Sequence, residues 1–271
     1  MGGVASWIPG MVFGFLTRRR RDALRASAVP HEWRAIVERN IVLFRRLSAA
    51  DQAELLGHVQ VFLAEKHFEG CGGLELTDEI RVTIAAQACL LLLHRDTDYY
   101  PRLTSILVYP AGYTAHGTRT IGDGIWEEGP DERLGHTQQH LGALVLAWDS
   151  VKLGAADPAD GDNLVLHEFA HQLDFEDNLT DGTPALDTRA EYLAWARVMR
   201  EEFDALREAE EEGAATIIDQ YGTTNPAEFF AVVTEAFFER PHALRRRHQA
   251  LYEELARFYR QDPVSFVDDE G

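Results

Sequence analysis

Basic residues are scarce in this chain: 26 Lys and Arg stand against 45 Asp and Glu in 271 residues, a net charge of −19. That deficit argues against general nucleic-acid binding, which needs a basic footprint. Cysteine is scarcer still, with only Cys71 and Cys89. Neither belongs to a C-x-x-C pair, so a zinc ribbon is excluded, and two reduced thiols in a cytoplasmic protein are expected. No apolar run reaches transmembrane length. The first 16 residues are apolar but interrupted by Pro9 and Gly10, and the basic block Arg18 to Arg21 comes after them. A secretory signal has the opposite order. Residues 1–29 therefore read as a flexible N-terminal arm, with at most weak contact to an anionic membrane surface. No repeat or low-complexity linker divides the rest of the chain, so 30–263 reads as one domain and 264–271 as a C-terminal tail.

There is ample material for a core. Hydrophobic residues make up 45% of the chain and the mean hydropathy is −0.25, the values of a globular protein. Helical periodicity runs over 30–46, 49–65, 190–212 and 242–259. Thr77 caps an apolar helix through Leu93 that carries Cys89 into the core. Residues 105–109 and 142–148 are short and rich in apolar, mostly branched residues, as strands are. The glycine-rich stretch 112–135 reads as hairpins and loops around a smaller strand at 118–121. The 142–148 strand is apolar throughout, which favours an internal position. At a sheet edge it could instead pair with an extended peptide. The fold class expected is α+β, a mostly helical single domain with a small mixed sheet.

One segment carries chemistry. His167-Glu168-Phe169-Ala170-His171 has the H-E-x-x-H spacing of metalloproteases. Four residues are about one helical turn, so both imidazoles lie on one face and can converge on a metal ion. Glu168, at a neighbouring angle, can take a proton from water that the metal has acidified. Asp162 or Asn163 can cap this helix. Leu164, Phe169 and Leu173 mark it as buried, which argues against a surface helix with incidental His and Glu.

A catalytic zinc takes three protein ligands and keeps one position open. The third is sought in a helix that starts at Asn225-Pro226, an N-cap followed by a first-turn proline. Glu228 falls in its first turn, where it could also serve the helix dipole. Glu235, seven residues on and near the same face, competes as a ligand or could orient a ligand histidine. Tyr221 stands just before this helix, either as an ordinary loop tyrosine or as a hydrogen-bond donor to an oxyanion. Asp174 could accept from a ligand imidazole or simply fix the acidic loop 177–187. That loop lacks the ligand spacing of an EF-hand.

His167 to Asp174, Tyr221 to Glu228 and the Phe-rich helix beyond resemble the zinc peptidases of the Mlc titration factor A family, which are gluzincin-like. The likeness extends more loosely over about 31–263. It implies a zincin-like core around the H-E-x-x-H helix and one Zn2+ per chain held by His167, His171 and Glu228. It further implies Glu168 and Tyr221 as catalytic residues and aminopeptidase-like activity on small peptides. A protein regulator is also implied as a partner. A regulatory binding module whose zinc has little catalytic activity is the alternative.

Overall fold

The computed structural model describes residues 9–111, 113–120, 126–133, 135–138 and 142–266, with side chains over 14–111 and 142–266. Five helices come first or nearly so: α1 (Pro9–Ala26), α2 (His31–Asn40), α3 (Val42–Arg46), α4 (Ala49–Glu65) and, after strand β1 (His67–Gly70), α5 (Asp78–Leu90). Next come strands β2 (Ser105–Tyr109), β3 (Tyr113–Thr120), β4 (Trp126–Arg133), β5 (Gly135–Gln138) and β6 (Ala143–Ala147). The chain then turns helical again, with α6 (Trp148–Ala156), α7 (Leu164–Asp174), α8 (Arg189–Glu211), α9 (Pro226–Glu239), α10 (Pro241–Arg247) and α11 (Gln249–Tyr259). The protein is thus the mostly helical α+β domain with a small mixed sheet that its sequence pattern predicts.

The main sheet has the order β1-β2-β6-β5. β1, β2 and β6 run parallel, and β5 closes one edge antiparallel to β6. β6 is therefore internal, and its Leu144, Val145, Leu146 and Ala147 are buried. The idea of 142–148 as a substrate-pairing edge is thereby corrected, because both of its backbone sides are already paired. β3 and β4 form a separate hairpin. The smaller strand expected at 118–121 belongs to β3 as far as Thr120, and Ile121 lies outside the described residues. β5 went unread in the sequence pattern, and so did β1. Its four residues, His-Phe-Glu-Gly, show no apolar alternation, and pairing with β2 alone makes them extended.

Over its described part, the segment expected to be a flexible arm is the helix α1, packed on α4. Arg21 makes a two-pronged contact with Glu65, at 2.9 and 3.0 Å, and a 2.8 Å bond to Asp98. Such paired guanidinium–carboxylate bonds are among the stronger polar contacts. The helix expected over 242–259 is broken at His248, whose φ of −134° is not helical. The His248 ring shares a 2.6 Å hydrogen bond with Glu202 on α8, which holds the break in place. Cys71 and Cys89 are both free, and Cys89 is buried. Among the described residues no helix is long and apolar enough to cross a membrane.

α7 and α9 lie against each other in the interior. Phe229, Phe230, Phe237 and Phe238 of α9 are fully buried, and this aromatic group meets Trp195, Phe258 and Tyr259 edge to face, with Trp195 and Phe230 centred 5.5 Å apart. Each such ring contributes about 1.5–3 kcal/mol from burial. That surplus lets the same helix carry buried acids.

The turn into β6 depends on Gly142, at φ +63°. A Cβ there would come within 2.8 Å of the Arg102 carbonyl oxygen. Gly142→Ala is expected to lower stability by roughly 1–3 kcal/mol, from left-handed backbone and the clash together. Denaturant unfolding checks this, and a variant as stable as the parent would refute the tight-turn reading.

Candidate metal centre

α7 starts where it does because the Asn163 side chain accepts from Leu166 N at 3.1 Å. This cap sets the helical phase that turns His167 and His171 to the same neighbour. Their ring centroids are 4.9 Å apart. α9 starts with the same device: Asn225 Oδ1 accepts from Glu228 N at 3.0 Å, and Pro226 stands in the first turn. Glu228 is thus fixed by its own backbone N–H at the end of α9 that faces α7.

His167 Nε2 lies 3.0 Å and His171 Nε2 3.3 Å from one oxygen of Glu228, Oε2. One ligand atom from each of the three residues falls within 4.8 Å of the other two, so the group could hold a metal ion. Two imidazoles and a carboxylate suit a divalent ion such as zinc. Burial alone would drive the proton off His167, but hydrogen bonds to Glu228 and Glu235 outweigh it and hold its pKa at about 10. Burial likewise pushes the Glu228 carboxyl up, and the bonds from His167 and His171 outweigh that to leave it at about 2. The pocket therefore demands a positive charge among its donors. In the metal-free chain a proton on His167 supplies it, which is the electrostatic demand a metal-binding site makes.

Glu235 does not join the three. Its Oε1 lies 2.7 Å from His167 Nδ1, on the far side of the ring from Glu228, and its Oε2 accepts from Asn163 N at 2.5 Å. It is the carboxylate behind a histidine, which fixes the tautomer and the ring orientation. Glu168 is buried on α7, close enough for its charge to raise His167 further. Tyr221 lies in the short turn Gln220–Thr224, is 55% exposed, and has its ring centred 6.1 Å from that of His167. Asp174 takes the loop role. Its Oδ2 accepts from Gly182 N at 3.1 Å, and Gly182 O in turn accepts from Trp195 Nε1 at 2.9 Å. His171 Nδ1 has no hydrogen-bond partner among the described residues.

Pattern reading named Asn163 only as a possible cap and passed over Glu239. The signal was present: Glu228, Glu235 and Glu239 stand at i, i+7 and i+11, one face of an otherwise apolar helix. A second convergence, also unread, joins Asp51 and Glu54 of α4 to His94. Both nitrogens of His94 are engaged there, at 3.2 Å to Asp51 and 3.3 Å to Glu54, so it serves as a clasp between α4 and the turn after α5.

Two outcomes are expected. Because His167 is raised, the stability it lends the metal-free protein is complete below about pH 6.5 and is lost as pH rises toward 10. Glu228 is depressed, so its share is complete above about pH 4.5 and is lost as pH falls toward 2. Thermal unfolding in chelator should show the alkaline decline, and Glu228→Gln should flatten it. Parallel curves for the two proteins would refute this coupling. Separately, Gly182 has φ +77°, and a Cβ on it would sit 2.3 Å from the Pro226 carbonyl oxygen at the start of α9. Gly182→Ala should cost about 1–3 kcal/mol by the strain that any non-glycine residue meets there, read by denaturant unfolding. An unchanged midpoint would show that the loop does not press on α9.

Known proteins resemble this chain over most of its length. The profile of the family described as glucose-regulated metallo-peptidase M90 matches residues 15–260. The chain is similar to the Synechocystis protein slr2042, with 37% identity covering 97% of this chain and 94% of that one. It is similar as well to Mlc titration factor A of Klebsiella pneumoniae, with 32% identity covering 85% of this chain and 87% of that one. Edwardsiella ictaluri has a protein of the same name, 30% identical over 85% of this chain and 88% of its own. The match over nearly the whole described domain, around an H-E-x-x-H helix, means that the chain belongs to the M90 metallo-peptidase family.

Proposed function

We propose that the protein is a zinc-dependent metallopeptidase that hydrolyses peptide bonds, acting as an aminopeptidase on small peptides. The observation that carries the reading is the convergence of His167, His171 and Glu228 within 4.8 Å, with Glu168 buried beside them. Those three side chains would hold the ion, and Lewis acidity toward water and a carbonyl oxygen is the chemistry zinc supplies when bound. Glu168 acts as general base, taking the proton of the attacking water and returning it to the departing amine. The Tyr221 hydroxyl donates to the oxyanion that develops on the substrate carbonyl. Its exposure at the rim supports this role, since the ring can meet substrate without displacing core. Glu235 keeps His167 turned toward the ion. The restriction to small peptides and free amino termini rests on the resemblance to the Mlc titration factor A family.

A second reading has support in names. Relatives are called titration factors of Mlc, which favours a protein partner and a regulatory role with little intrinsic catalysis. A purely structural zinc takes four protein ligands and has no use for Glu168 or Tyr221. The free Cys71 and Cys89 support a reducing, cytoplasmic setting. Exposed Phe15 and Leu16, one turn from Arg18 and Arg19, support weak contact between α1 and an anionic membrane surface.

The decisive experiment compares wild type with Glu168→Gln and Tyr221→Phe for zinc content and peptide cleavage. One zinc per chain is expected in all three. Turnover should fall on the order of 10²–10⁴-fold for Glu168→Gln, as loss of a general base does. For Tyr221→Phe the expected fall is on the order of 10²–10³-fold in kcat with KM little changed, as loss of an oxyanion donor does. Zinc in wild type without cleavage of any peptide in a broad library would turn the assignment to the regulatory module.

A further inference from the structure

Behind the candidate metal centre a chain of hydrogen bonds runs away from His167 into the core. Glu235 joins His167 Nδ1 to the backbone N–H of Asn163, at 2.7 and 2.5 Å. Asn163 Nδ2 then donates to Glu239 Oε1 at 2.9 Å and to the Gly154 carbonyl at 3.1 Å, while its Oδ1 caps α7 through Leu166 N. Asn163, Glu235 and Glu239 are all buried, at 4%, 4% and 2% exposure. Burying two carboxylates one helical turn apart costs free energy unless something uses them. Apart from Thr234, the other buried residues of α9 are apolar.

We propose that Asn163 and Glu239 are positioning residues for the metal centre: Glu239 fixes the Asn163 side chain, and Asn163 fixes both Glu235 and the phase of α7, so that the His167 ring is held. Asparagine at 163 does two things at once, accepting from Leu166 N and donating to Glu239. Serine or aspartate would still cap the helix, but neither carries an N–H to give Glu239. At 239 the requirement is for an acceptor oxygen that reaches Asn163 Nδ2. Burial drives the Glu239 carboxyl well above the usual range, and the hydrogen bonds from Asn163 and from the Gly161 backbone lower it only in part. Glutamine offers the same acceptor oxygen at the same reach.

This inference rests on the metal-centre reading, and its test separates the two. Metal-free wild type, Asn163→Ser, Glu239→Gln and Glu239→Ala are titrated with Co2+ against a competing chelator. The visible absorption of bound Co2+ and the thermal midpoint of the metal-free protein are recorded together. Thr188→Ala, which removes the cap of α8, controls for a lost cap elsewhere. Asn163→Ser and Glu239→Ala are expected to bind Co2+ about 10–100-fold more weakly, with an altered absorption band, as losses behind a ligand histidine do. Glu239→Gln should match wild type, and Thr188→Ala should lose stability without losing affinity. Wild-type affinity and band in Asn163→Ser, whatever its midpoint, would reduce the network to core packing and overturn the proposal. If Glu239→Ala does not fold, Asn163→Ser decides it. Wild type that binds no Co2+ would overturn the metal-centre reading itself.

Discussion

Helices α7 and α9 pack face to face across a strip of imidazoles and carboxylates, and the stability of that contact depends on cancelling charge in a place water hardly reaches. His167 and His171 come from one helix, and Glu228, Glu235 and Glu239 from the other. Each acid alone would be costly to bury. Together they form pairs and bonds that draw a cation in: a proton on His167 when nothing else is there, or a metal ion when one is bound. The large aromatic surface around Trp195, Phe230 and Phe258 offsets the remaining expense. A hydrophobic core and a charged seam thus occupy the same two helices, and the first permits the second.

The two helices meet in register because both are started by the same kind of cap. Asn163 and Asn225 each accept from a backbone N–H three residues on. In each case the cap sits within four residues of a group that faces the other helix. The caps therefore set rotation as well as length, and rotation decides whether three donors meet at a point. Loop residues reinforce this. Asp174 holds Gly182, and Gly182 lies so close to Pro226 that the C-terminal end of α7 is tied to the start of α9. Ring and carboxylate positions in such a site are governed by supports of this kind as much as by the ligands themselves.

Much of the site was legible in residue spacing. H-E-x-x-H places two histidines on one helical face whatever the surrounding fold, because 3.6 residues make a turn. Asn225-Pro226 announces a helix start that puts Glu228 in the first turn. Spacing could not separate Glu228 from Glu235, since seven residues return to nearly the same face. Height along the axis separates them: Glu228 meets both Nε2 atoms, while Glu235, two turns further, meets His167 Nδ1. Helix spans such as α4 and α8 were readable to within a residue, for their amphipathic pattern is unbroken.

The sequence by itself determined that two histidines share one helical face, where the helices that carry the candidate ligands start, and that the chain folds as a mostly helical α+β domain. Those are local matters of periodicity, capping and donor chemistry. Only the tertiary structure decided that β6 is internal, that β1 is a strand, that α1 docks on α4 through Arg21, and that Glu235 stands behind His167. Each of these depends on partners distant in the chain, such as Glu65 for Arg21 or Asn163 for Glu235. Backbone pairing and buried charge are settled by the whole packing, and no window of neighbouring residues contains that information.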